Sequence, residues 1–104
     1  MEQKARDSQV KLAQQLLSKL SPVLRQLEAT RSQERFDLVA PVIRTPMESG
    51  MDELTNLEAA CNSVIAAGAG KLDYDVKALA LLVARLRKEM SLATQIMATI
   101  SKAA

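Results

Sequence analysis

Three sets of apolar residues recur at intervals of three and four along this chain, and that spacing admits one kind of local structure. Ala13, Leu16, Leu17, Leu20, Val23, Leu24 and Leu27 form the first set, and Met51, Leu54, Leu57, Cys61, Val64 and Ile65 the second. The third is the longest: Leu79, Leu82, Val83, Leu86, Met90, Ala93, Ile96, Met97 and Ile100. Each set draws one apolar stripe along an amphipathic helix. The alternation of apolar and polar residues that marks a half-buried strand extends nowhere, so the fold class predicted is all-α.

At 104 residues the chain has room for one hydrophobic core, and its 48% hydrophobic and 25% charged residues are ordinary for a globular domain. The expectation is a single domain over residues 1–104, a small antiparallel helical bundle of three or four helices. Aromatic residues are only 2% of the chain, so Leu, Ile, Val, Ala and Met must fill that core. A chain of this length buries about two thirds of its unfolded surface, and a dimer would bury more.

The prolines and glycines place the helix ends. Pro22 falls inside the first stripe, yet the stripe keeps its phase from Leu20 to Val23. That favours one proline-bent helix from about Lys4 to Ala29 over a fresh start at Pro22. Phe36, Val39, Val42 and Ile43 keep helical spacing but are interrupted by Pro41 and Pro46. Thr45-Pro46-Met47-Glu48 has the pattern of a capping box, so a helix is expected to open there. Gly50 weakens its first turn by about 1 kcal/mol relative to alanine. Gly68-Ala69-Gly70 supplies the left-handed residue that closes a helix, and Asp73 or Asp75 caps the next, which runs to about Lys102.

Charge is sorted along the chain. Residues 1–46 carry eight Lys and Arg against five Asp and Glu, residues 47–75 one against six, and residues 76–104 five against one. The order basic, acidic, basic suits an acidic central helix lying beside two basic ones, with charge selecting register more than adding stability. The net charge of +2 is too small to imply a polyanionic partner.

Catalysis is what the composition disfavours most. With no histidine and one cysteine, neither an imidazole base nor the usual zinc ligand sets can be assembled in one chain. Carboxylates remain: Glu48, Asp52 and Glu53 share a helical region, but an oxygen-ligated cation needs more ligands, and a solvated acidic face explains them. Cys61 sits in an apolar phase with no basic residue within a turn, which reads as a buried structural thiol. Glu89 interrupts the last stripe, so it either lies at the stripe's edge or meets an arginine across an interface. Met47, Met51, Met90 and Met97 fit core phases, although methionine also suits adaptable binding surfaces. No enzyme activity, cofactor or metal is expected.

Two functions remain. The favoured one is a protein-protein interaction module, an adaptor, chaperone-like or oligomerisation protein, expected to form a homodimer or half of a hetero-complex. Its contacts would come from the last stripe: Leu79, Leu82, Val83, Leu86, Met90, Leu92, Ile96, Met97 and Ile100. Leu92 and Met97 are placed near the edges of that stripe and Leu86 at its centre. The alternative is nucleic-acid binding through Arg25, Arg31, Arg35, Arg85, Arg87 and Lys88, which would contact phosphates but have no aromatic platform beside them. The first residues lack the basic-then-apolar pattern of a secretory signal, and no apolar run approaches the ~20 residues of a membrane span. With its lone cysteine the chain is expected to be cytoplasmic.

Overall fold

The computed structural model describes the backbone of residues 2–103 and the side chains of residues 8–100. Three α-helices, α1 (Glu2–Arg31), α2 (Pro41–Ala67) and α3 (Val76–Ala103), are joined by a short 3-10 helix (Glu34–Leu38) and a loop. No strand occurs among the described residues. Every pair of the three α-helices is in contact, and the 3-10 helix packs against α3. The result is a rod, 62 × 21 × 18 Å.

The three stripes become one core. Leu16, Leu20 and Leu27 of α1, Met47 and Leu54 of α2, and Leu79, Leu86 and Ala93 of α3 are fully buried in a single cluster. Phe36 and Val39 plug one end of it and Leu72 the other. Two contacts fix the directions: Glu58 of α2 meets Ser21 and Arg25 of α1, while Gln9 near the start of α1 accepts from the Leu72 N–H at 2.9 Å. The chain therefore runs up, down and up, with α1 and α3 parallel.

Several expected boundaries are met. α1 passes through Pro22 without a break. α2 closes at Gly68, whose φ of 65° is left-handed and whose N–H donates to the Ile65 carbonyl at 3.3 Å. Of the two candidate caps for α3, Asp75 takes the position: its Oδ1 accepts from the Ala78 N–H at 2.7 Å.

The start of α2 differs from the expectation. The helix opens not at Thr45-Pro46 but a turn earlier, with Ala40 as N-cap and Pro41 as first residue. Pro41 has its φ preset for a helix and lacks a donor where none is needed. The Ala40 carbonyl accepts from Ile43 at 2.9 Å and Arg44 at 3.0 Å, so the first turn closes before Thr45 is reached. Thr45 is exposed and caps nothing, and Pro46 lies inside the helix. Gly50, read from sequence as a weak point, is buried where α2 crosses α3.

Candidate interaction surface

Three helices leave three outer seams, and the side chains along them differ in kind. The α1–α2 seam is closed by the chain's own charges. Ser21 Oγ donates to Glu58 at 2.9 Å, and Arg25 donates to both oxygens of Glu28 and both of Glu58 at 2.9–3.0 Å. Glu28, then Glu58, hold the guanidinium pKa of Arg25 above its ordinary value.

The α1–α3 seam carries shallow clefts with mixed walls. One of about 440 Å³ lies between Ser18, Lys19 and Pro22 of α1 and Val83, Ala84 and Arg87 of α3. A second, of about 530 Å³, is walled by Gln26, Thr30, Met90, Ser91, Thr94 and Gln95. Most of the surface lining both is apolar, but none of it comes from a large exposed apolar side chain.

The α2–α3 seam is built differently. Gly50 lets the two helices approach until a β-carbon there would overlap Leu86 Cδ2 and stand 3.1 Å from an Arg85 guanidinium nitrogen. Arg85 thus lies at the seam's rim. Leu81 and Leu92, four residues before it and seven after, share its side of α3 at 3.6 residues per turn. On α2 the rim is marked by Glu53, whose Oε2 accepts from the Tyr74 hydroxyl at 2.9 Å. Val42 lies three turns before Glu53 on that same side. Leu81 is 69% exposed, Leu92 40% and Val42 78%. With Leu38, 63% exposed in the 3-10 helix, these are the large exposed apolar side chains among the described residues. Three of the four line one seam.

Most of the stripe expected to meet a partner is used inside the chain. Leu79, Leu82, Leu86 and Met97 are buried in the core, so Met97 is not an edge residue. Val83, Met90, Ile96 and Ile100 are half-buried, and only Leu92 stands exposed. Leu81, Leu38 and Val42 were outside the expected set. Leu81 carried a legible signal, since it is a large apolar residue out of phase with the stripe around it. Val42 carried none, because it fits the spacing of Phe36 and Val39, both buried.

The six basic residues do not converge. Arg25 is held on the α1–α2 seam, Arg85 lies on the α2–α3 seam, and Arg87 borders the clefts between α1 and α3. Arg35 lines a cleft of about 420 Å³ with Thr94 and Met97, while Arg31 ends α1 and Lys88 faces outward from α3.

The remaining reactive groups are quiet. Cys61 is fully buried, and burial, with the nearby Glu58 carboxylate adding to it, pushes its thiol pKa up. Glu89 sits at the edge of the stripe, with Oε1 3.7 Å from Arg85 Nε of its own helix and Oε2 without a donor. Tyr74 has its pKa raised by the hydrogen bond to Glu53 and then by burial. It borders a cleft of about 280 Å³ floored by Leu57 and Leu72. Among the described residues no three potential metal ligands gather, and no helix is long and apolar enough to cross a membrane. No family model matches this chain, and no curated protein or solved structure matches it either.

Proposed function

We propose that this chain is a non-enzymatic protein-protein interaction module, working as an adaptor, chaperone-like or oligomerisation protein in the cytoplasm. Its working surface is the outer face of the α2–α3 seam of an antiparallel three-helix bundle bent at Pro22 and Pro46. The observation that carries this reading is the gathering of Leu81, Leu92 and Val42 on one seam, while neither of the other two seams carries a large exposed apolar side chain from its helices. Exposed leucine and valine at three-turn spacing suit the apolar face of a partner helix. The buried part of the α3 stripe holds that face rigid, and Arg85 and Lys88 between the leucines set orientation.

The dispersal of the basic residues over three seams weighs against nucleic acid. The test is capture from an extract of the native host by the immobilised chain and by a Leu81→Asp/Leu92→Asp variant. Circular dichroism checks that both are helical. A protein held by the first and not the second, and retained at high salt, is the expected result. Capture that is lost to nuclease or to moderate salt would replace this reading with nucleic-acid binding.

A further inference from the structure

We infer that the α2–α3 face is covered by a second copy of this chain, related to the first by a two-fold axis running along the seam, parallel to the helices. This rests on the interaction reading above and names its partner.

The argument starts from the charges on the two sides of the seam. Exposed Arg85 and Lys88 lie on α3, and exposed Asp52 and Glu53 on α2. Within one chain they stand side by side. Arg85 bonds instead toward Glu89, and Glu53 gives one oxygen to Tyr74. A two-fold axis along the seam exchanges left for right and leaves height unchanged, so α3 of each copy lies on α2 of the other. Basic then meets acidic twice, as an isologous interface requires.

Heights within the chain fix the remaining pairs. Gly50 is level with Leu86, and the two helices run in opposite directions at about 1.5 Å per residue. Val42 is therefore nearly level with Leu92, and Asn56 nearly level with Leu81. In the pair of chains, Leu92 of each copy lands beside Val42 of the other, which covers both exposed side chains. Arg85 lands beside Glu53 and Asp52, and Leu81 lands beside Asn56. A two-fold axis perpendicular to the helices would instead set α3 on α3. Arg85 and Lys88 would then face a second basic helix, which like-charge repulsion opposes. Gly50 contributes by keeping the seam shallow, so that two flat faces can meet.

Light scattering coupled to gel filtration at micromolar concentration should give twice the 11.3 kDa chain mass. Arg85→Glu/Lys88→Glu should be monomeric, and so should Asp52→Lys/Glu53→Lys. Mixed in equal amounts, the two variants should regain the double mass, because each restores opposite charge to both halves of the interface. A chain carrying Val42→Cys should form a disulfide with a chain carrying Leu92→Cys under mild oxidation, while Cys61 stays buried. A monomeric wild type, a dimer indifferent to the charge changes, or Leu92→Cys chains joining efficiently to each other would each overturn the inference. A monomer that still captures a host protein through Leu81 and Leu92 leaves the interaction reading standing with another partner; a monomer that captures nothing ends both.

Discussion

Gly50 on α2 and Leu86 on α3 are packed so closely that one methyl group does not fit between them: a β-carbon at Gly50 would overlap Leu86 Cδ2 and lie 3.0 Å from its Cγ. Helix propensity alone favours alanine at this position by about 1 kcal/mol. Leu86 is fully buried and cannot swing away, so overpacking costs about 1–3 kcal/mol and outweighs that gain. Gly50→Ala is expected to lower the urea midpoint. Leu86→Ala alone should cost about 2–5 kcal/mol through its cavity. The double variant should lose less than the sum of the two, since the new methyl occupies space the leucine vacated.

The helix starts give a paired expectation. Asp75→Ala removes the carboxylate that accepts from the Ala78 N–H and should cost about 1 kcal/mol in denaturant melts. Thr45→Ala should change stability by less than about 0.5 kcal/mol, because Thr45 is an exposed residue inside α2 and not its cap. A large loss at Thr45 would mean that α2 opens where its sequence suggests and not at Pro41.

The contrast between these two positions shows which parts of the fold are legible in sequence. The stripes survive because burial of a whole helical face is a sum over many residues, and no single exception such as Glu89 changes its phase. A cap at Asp73 or Asp75 could be read because a carboxylate shortly after a glycine-rich stop leaves the backbone few other caps, and the hydrogen bond from the Ala78 N–H selects Asp75. At Thr45 two local rules compete, a capping box and a proline at the first helical position, and both Pro41 and Pro46 satisfy the second. Phe36 and Val39, buried against the end of the core, hold the chain so that Pro41 is the one that begins the helix. Gly50 is a tertiary matter altogether: nothing in its neighbours announces that a second helix passes over it. The seam surface was half legible, since Leu92 stood in the expected stripe and Leu81 out of phase with it, while Val42 gains its meaning only when α2 is set beside α3.

Alkaline pH should destabilise the fold through Cys61. Burial raises its thiol pKa above the ordinary 9.0, so above that pH the unfolded chain releases a proton that the folded chain keeps. The stabilisation is complete below the ordinary value and is lost as pH rises through 9.0 toward the folded value. Tyr74 adds an effect of the same sign above its ordinary 10.0. Urea midpoints should be flat from roughly pH 6 to pH 8 and fall by roughly pH 10, with a shallower fall in Cys61→Ala. Thiol reagents should label Cys61 at the rate of unfolding.

Pro22→Ala should be stabilising. Proline in a helix interior costs about 3 kcal/mol relative to alanine, and Pro22 is exposed, so the substitution leaves no cavity in the core. The new N–H can donate to the Ser18 carbonyl one turn back. Part of the gain is offset because alanine leaves the unfolded chain freer, so a net increase of about 1–2 kcal/mol is expected. An unchanged melt would show that the restored hydrogen bond does no more than offset the freedom gained by the unfolded chain.

The sharpest division should appear along α3. Leu86 and Met97 are buried in the core, whereas Leu92 and Leu81 face outward at the α2–α3 rim. An aspartate at Leu86 or Met97 must either carry an unpaired charge into the core or stay protonated without a donor or acceptor there. Either costs several kcal/mol, comparable with the whole stability of a small domain at about 5–15 kcal/mol. Leu86→Asp and Met97→Asp should therefore lose most of their helical circular dichroism. Leu81→Asp and Leu92→Asp place the carboxylate in water beside Arg85 and Lys88, and their melts should shift by less than about 1 kcal/mol. What those two rim variants lose should be association, read as mass by light scattering. Loss of helix in Leu92→Asp would put that residue inside the core and remove the seam as a binding face.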